Sequence, residues 1–182
     1  MKTKAQYSRF AGFVFLLSLA AVSCALAQEP TVTDPVSDWQ EAAFNYEYAA
    51  EAQESAANEA LVQARYLRDT VQEDIVSARR NRIQAGNMQL RAADLMLAAS
   101  GNLDHASRVW RQAASTAGRE TAAGKYFASA SQATASRALG LVRQAVDLCE
   151  RAAVGFAEEE EFLSQASANT KAAGLRERLA KR

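Results

Sequence analysis

The chain has 182 residues, 49% of them hydrophobic, and its 21 basic and 21 acidic side chains balance to a net charge of zero. This length and apolar content indicate one folded domain, globular or coiled-coil, and exclude an intrinsically disordered chain. The balanced charge excludes a bulk attraction to nucleic acid or to an anionic membrane, so we predict no nucleic-acid partner.

Residues 1–27 have the three parts of a secretory signal peptide. Basic residues precede an apolar run at positions 11–21, and the small-residue motif at 25–27 stands just before Gln28. This pattern predicts export with cleavage after Ala27, and therefore a location in the periplasm or outside the cell of a bacterium. Cleavage there removes three basic residues and leaves 18 basic against 21 acidic side chains, a net charge of −3.

The same segment is compatible with a second cleavage site. Residues 21–24 partly resemble the lipobox of bacterial lipoproteins, in which the cysteine becomes a lipidated N-terminus, although Ala21 occupies the usual leucine position. Cleavage there would give a protein that is lipid-anchored at Cys24. No later apolar run reaches the roughly 18 residues of a membrane helix, so we predict no membrane span in the mature chain.

A flexible leader is predicted at 28–35, and a long helix follows it. Positions 36–85 contain no glycine or proline, and a helix of that length spans roughly 75 Å at ~1.5 Å per residue. Ser37 and Gln40 form a plausible capping box at its start. One face repeats alanine at heptad spacing, so a partner helix can approach closely but no pocket opens beside it. This alanine seam consists of Trp39, Ala43, Tyr46, Ala50, Gln53, Ala57, Ala60, Ala64, Leu67 and Val71.

The strongest predicted break in the mature chain lies at Gly101 and Asn102. Glycine suits the C-terminal cap of one helix and asparagine the N-cap of the next. The stretch from Gly101 to Ala106, continued by Trp110 and Ala113, resembles the turn and second helix of a tetratricopeptide repeat. No second copy follows at that family's period of about 34 residues, so we interpret the stretch as a generic tight turn between helices.

The predicted fold class is all-α, because every segment after the leader has a helical period. The helical domain covers 36–168, and a loosely ordered basic tail follows at 169–182. Folding about Gly101 gives an Ala-rich, coiled-coil-like antiparallel hairpin of long helices with Gly86 opposite Gly118. If both arms break at these glycines, the shorter helices fold back into a four-helix bundle instead.

Charge is distributed unevenly along the predicted hairpin. Acidic residues dominate positions 36–60 and 158–161, whereas arginines dominate near the turn, at 79–82 and 108–119. We therefore predict that the acidic base docks on a basic surface, either the apex of another copy or the chain's own tail at 171–182. The alternative is an ordinary solvated surface.

Motifs for catalysis, cofactor binding and metal binding are missing, so we predict no catalytic, cofactor-binding or metal-ligating residues and no cofactor. His105 is the sole histidine, which rules out a histidine metal pair in one chain, and we expect it to be exposed in the first turn of a helix. Gly118 and Gly124 only superficially resemble a phosphate-binding loop, because their spacing and Tyr126 do not fit. The carboxylates at 158–161 would point around a helix axis and would not converge on calcium.

Two residue classes point to packing or association. Cys149 is the only cysteine left after cleavage at Ala27, so it is either buried or forms an intermolecular disulfide, and its apolar neighbours favour burial. The aromatic residues of the first helix spread too widely in angle to fit the alanine seam, so some must meet a second helix, another copy or a partner. They are Trp39, Phe44, Tyr46, Tyr48 and Tyr66.

The predicted function follows from architecture, since no residue pattern indicates a reaction. We predict an exported, non-enzymatic protein that acts as a spacer, adaptor or small chaperone by presenting helix surfaces to a protein partner or to another copy. The alternative is a ligand carrier or membrane-active helical protein, which requires a wide apolar face beyond the seam.

Overall fold

Four α-helices make up the part of the chain that the computed structural model describes, residues 35–70 and 74–181. Helix α1 spans Pro35–Asp69, α2 Ile75–Ala117, α3 Ala122–Glu158 and α4 Phe162–Ala180. Within these ranges there is no strand, so the all-α prediction is confirmed and the fold is a helical bundle. The predicted signal peptide, its two cleavage sites and the leader up to residue 34 lie outside the described residues.

The predicted single helix over 36–85 is wrong, because α1 ends and α2 begins within it. At the end of α1, the amide and the hydroxyl of Thr70 donate to the Tyr66 carbonyl at 3.0 and 2.6 Å. At the start of α2, the Asp74 carboxylate accepts a 2.8 Å hydrogen bond from the Ser77 amide. An N-cap of this kind starts a new helix without any need for glycine or proline.

The predicted turn at Gly101 and Asn102 is also wrong, because α2 continues through both residues. Asn102 donates a 3.0 Å hydrogen bond to Oε1 of Gln53 in α1, and the adjacent Leu103 is fully buried. Glycine in a helix interior costs about 1 kcal/mol relative to alanine. Tertiary packing offsets this cost, so neither the hairpin turn nor the repeat-like turn forms there.

Of the two glycines that would break the arms of a bundle, only Gly118 does so. It ends α2 with a positive φ of 86°, and Thr121 then caps α3 by accepting a 2.9 Å hydrogen bond from the Gly124 amide. A Cβ on Gly124 would lie 2.1 Å from the Gly118 carbonyl oxygen, so this turn has no room for a side chain. The break expected at Gly86 is wrong, since that glycine lies inside α2 against the Phe156 ring of α3.

The loosely ordered tail predicted at 169–182 is wrong, because these residues up to Ala180 belong to α4. Ala172 and Leu175 are buried in the main core cluster. Arg176 forms an ion pair with Glu150, which ties α4 to α3. The helical domain therefore extends to the end of α4.

Small residues dominate the contact between α1 and α2. The alanine seam of α1 is confirmed at five positions that are each at most 5% exposed. These five are Ala43, Ala50, Ala57, Ala60 and Ala64. The seam is wrong at Trp39, which is 37% exposed, and Val71 lies outside the described residues. The other three members are partly buried: Tyr46, Gln53 and Leu67. Alanine contacts allow the helix backbones to approach closely, so the bundle forms without large side chains along most of α1.

Polar contacts in the core hold α2 and α3 in one register. The hydroxyls of Ser107 and Ser131 each donate to the other residue's carbonyl, at 2.9 and 2.8 Å. Next to this pair, Trp110 stacks on Phe127 with ring centroids 5.6 Å apart. Because both buried hydroxyls are satisfied only in this register, sliding one helix along the other would lose hydrogen bonds.

Among the described residues, no helix combines the length and the apolar character needed to cross a membrane.

Candidate interaction surface

Helix α1 has two opposed faces. At about 100° per residue, Phe44, Tyr48, Val62 and Tyr66 fall within about 40° of one another, on the side opposite the alanine seam. We call these four side chains the outer stripe. Tyr48 and Val62 are separated by two heptads, so one partner helix packed along α1 could contact the stripe at both of its ends.

The outer stripe is exposed along its whole length. Phe44 is 48% exposed, Tyr48 76%, Val62 63% and Tyr66 71%. Phe44 makes an edge contact with the Trp110 ring at 5.2 Å, whereas no aromatic ring of the described residues stacks on Tyr48 or Tyr66. Single exposed apolar side chains are ordinary on protein surfaces, but an aligned set is typical of an association site.

Polar contacts on the inner side fix the rotation of α1 about its axis. One carboxylate oxygen of Glu47 accepts hydrogen bonds from Trp110 Nε1 at 2.8 Å and from Thr134 Oγ1 at 2.9 Å. Tyr46 stacks on His105 of α2 with ring centroids 5.3 Å apart. With Glu47 and Tyr46 directed at the bundle, Tyr48, Val62 and Tyr66 point away from it, and Phe44 lies at its edge against Trp110.

Carboxylates flank the outer stripe. Glu41, Glu51 and Glu59 lie within about 60° of its members and are exposed, and positions 36–60 contain no lysine or arginine. Arg137 of α3 lies 3.7 Å from Glu51 and neutralises part of the charge on that side. Glu41 and Glu59 form no ion pair within the described part of the chain. The exposed Arg65 also lies within about 60° of Val62, and Glu51 and Ser55 lie between Tyr48 and Val62 on the same face. The stripe thus consists of two apolar pairs, Phe44 with Tyr48 and Val62 with Tyr66, and its margins are mainly acidic.

His105 is exposed as predicted, but it lies in the middle of α2 and not in a first turn. One of its ring nitrogens is 2.9 Å from the Arg108 guanidinium, and its ring stacks on Tyr46. No group of three or more His, Cys, Asp or Glu side chains is arranged to hold a metal ion in residues 35–70 and 74–181. His105 therefore contributes to the contact between α1 and α2.

The predicted separation of charge between two ends is wrong. The start of α2 lies beside the turn between α3 and α4, so Arg82 pairs with Glu159 and Arg79 lies 3.3 Å from Glu161. Arg79 also donates a 2.7 Å hydrogen bond to the Glu159 carbonyl. The hydrogen bond to Glu159 raises the pKa of Arg82. Lys171 and Arg176 of α4 pair with Asp94 of α2 and Glu150 of α3, not with positions 158–161, so the basis for head-to-tail docking is lost.

Cys149 is fully buried in the main core cluster and is free, which confirms the favoured prediction. Burial raises the pKa of its thiol, because the thiolate would lose its hydration there. A buried thiol of this kind behaves as a small apolar side chain.

Two surface grooves lie between the helices. One is lined by Asp104, Arg108 and Leu139, and a smaller one by Val142 and Leu175. Both are open to solvent and of mixed polarity. Small-molecule sites are usually deeper and mainly apolar, so the outer stripe is the better candidate for a functional surface.

The sequence indicates that some aromatic residues of α1 lie off the alanine seam, but not which of them are exposed or that they align. The spacing of two heptads between Tyr48 and Val62 is a signal that the sequence does contain. No known protein family, curated protein or solved structure matches this chain.

Proposed function

We propose that the protein is an exported, non-enzymatic helical adaptor or small chaperone that binds a protein partner through the outer stripe of α1. The observation that carries this proposal is the alignment of four exposed apolar side chains opposite a buried alanine seam. Phe44 also contacts the buried Trp110, but Tyr48, Val62 and Tyr66 face water, and aligned exposed apolar side chains are typical of association.

The polar groups of the bundle support a non-enzymatic function, because their contacts are structural. Glu47 holds Trp110 and Thr134, His105 stacks on Tyr46, and the Cys149 thiol is buried. None of these contacts leaves a nucleophile beside a base in a concave site, which acid–base and covalent catalysis require.

The export part of the proposal rests on the signal-like pattern of residues 1–27. Intact mass of the mature protein tests it. We expect an N-terminus at Gln28 in the periplasm or the medium. A start at Cys24 that carries acyl chains would replace this part of the proposal with a lipid-anchored protein.

Site-specific crosslinking in the host cell tests the binding part. A photoreactive phenylalanine analogue is placed at Tyr48 or Tyr66, and at the exposed α3 residue Tyr126 as the matched control. We expect one discrete adduct with another protein from both stripe positions and none from Tyr126. Equal adducts from all three positions, or none, would contradict the proposal.

A further inference from the structure

The composition of the outer stripe restricts the kind of partner that fits it. From Phe44 to Tyr66 the stripe follows one helix axis for about 33 Å at ~1.5 Å per residue. Its midpoint is Ser55, a small exposed side chain that allows close approach. Two apolar pairs two heptads apart on one straight helix face match the contact face of another helix better than that of a loop or a sheet.

A second copy of the chain does not fit this face. Antiparallel pairing of two α1 helices about Ser55 would match Phe44 with Tyr66 and Tyr48 with Val62. The same pairing would set the exposed carboxylate of Glu51 against that of Glu59 at the centre, while Glu41 would lie near both Asp69 and Arg65. Parallel pairing would set each carboxylate beside its own copy. Like charges directly opposite one another destabilise both arrangements.

A helix with basic margins relieves this repulsion. Glu41 and Glu59 have no ion-pair partner in the described part of the chain, and Glu51 keeps 61% of its side chain exposed beside Arg137. Lysine or arginine on both edges of an incoming apolar line would meet these carboxylates. We propose that the outer stripe binds an amphipathic helix of about 22 residues whose apolar line is flanked by lysine and arginine. This inference rests on the proposed function and names the chemical class of its partner.

Titration of the protein that starts at Gln28 with synthetic peptides tests the inference. The probe is a fluorescent helical peptide of about 22 residues with leucine along one heptad line and lysine beside it. The control peptide has the same leucines and glutamate in place of lysine. We expect the lysine peptide to bind and to weaken about tenfold when the salt concentration rises from low to high, because exposed charge pairs are screened. The glutamate peptide should not bind.

Matched variants locate the bound peptide. The double variant Tyr48→Ser and Tyr66→Ser should lose at least about tenfold in affinity, because it removes the two most exposed aromatic side chains of the stripe. Tyr126→Ser, which alters an exposed tyrosine of α3, should leave the affinity unchanged. Far-UV circular dichroism confirms that each variant is folded.

Substitutions of the carboxylates beside the stripe provide a second test. Glu41→Gln, Glu51→Gln and Glu59→Gln together should weaken binding about tenfold at low salt. The matched set removes three exposed acidic charges elsewhere and should have a smaller effect. It consists of Glu120→Gln, Glu158→Gln and Glu160→Gln.

Each outcome decides between the two proposals. The inference would be overturned if the stripe variants and the control variants lost the same affinity for the peptide, or if both peptides bound equally well. It would also be overturned if sedimentation showed that the protein dimerises through the stripe. If no peptide binds but Tyr48 still forms its crosslink in cells, the basic-helix inference fails and the proposed function stands. If both experiments are negative, both proposals fail.

Discussion

Replacing Gly86 by alanine tests how closely α2 and α3 approach each other. A Cβ at this position would lie 2.8 Å from Cε1 and 2.9 Å from Cζ of the Phe156 ring. The ring is fully buried in a cluster with Ala152, Ala153 and Ala168, so it has no free space to move into. The new methyl group must therefore displace the ring or separate the two helices.

Two opposing effects set the size of the change. Alanine in place of glycine inside a helix is favourable by about 1 kcal/mol, whereas overpacking a tight core contact costs about 1–3 kcal/mol. Gly101→Ala is the matched control, because Gly101 lies in the same helix and its Cβ would meet nothing within 4 Å. Gly101→Ala should stabilise the protein by about 1 kcal/mol. Gly86→Ala should be about 1–3 kcal/mol less stable than that control.

Urea denaturation followed by far-UV circular dichroism measures both free energies of unfolding. Phe156→Leu closes the cycle, because it removes the ring atoms nearest to Gly86. In that background Gly86→Ala should stabilise the protein as Gly101→Ala does. If Gly86→Ala and Gly101→Ala stabilise the parent equally, the contact between Gly86 and Phe156 is refuted and α2 lies farther from α3 than described.

Three further predictions concern other parts of the bundle. Ala57→Leu should destabilise the protein by about 1–3 kcal/mol through overpacking, because Ala57 is fully buried. The control Ala52→Leu changes an exposed residue of the same helix and should leave the denaturation midpoint unchanged. The Cys149 thiol should react with a maleimide only in denaturant, since it is fully buried and its pKa is raised. For the same reason it should form no disulfide-linked dimer on a non-reducing gel. Rapid labelling of the native protein would show that the core opens. The Ser77 amide lowers the pKa of Asp74 below its ordinary 3.8, so the cap stabilises the fold above that pH and loses this contribution as the pH falls through the lowered pKa. Thermal melts of the parent and of Asp74→Ala should therefore differ at neutral pH and converge in acid, and a difference independent of pH would contradict the role of the charged cap.

The sequence predicted the helical class and the buried seam because both depend on periodicity. Alanine at heptad spacing specifies one face of a helix, and Ala50 and Ala57 are indeed fully buried. The sequence does not predict where the helices end, because a glycine alone does not end a helix that tertiary contacts hold together. Gly101 is retained in α2 by packing, whereas Asp74 starts a helix through a single side-chain hydrogen bond. Tertiary contacts and caps, and not glycine content, decided these boundaries.

Two other differences have the same origin. The sequence signal for α4 is weak because the buried face of this helix is narrow, with Ala168, Ala172 and Leu175 as its buried residues. The separation of charge was predicted from a hairpin that turned at Gly101. Once the turns lie elsewhere, Arg82 meets Glu159, which no pattern along the chain could have indicated.

Labelling of one engineered cysteine on the outer stripe tests the central claim most directly. Tyr48→Cys is compared with the matched control Tyr126→Cys, and the buried Cys149 keeps the background low. Maleimide labelling rates are measured on the purified protein and on the protein in its native cell compartment. We predict rapid labelling of both sites in the purified protein, and in the cell a selective protection of position 48 with position 126 still reactive. Equal labelling of the two positions in the cell would contradict the claim that the outer stripe of α1 is covered by a partner.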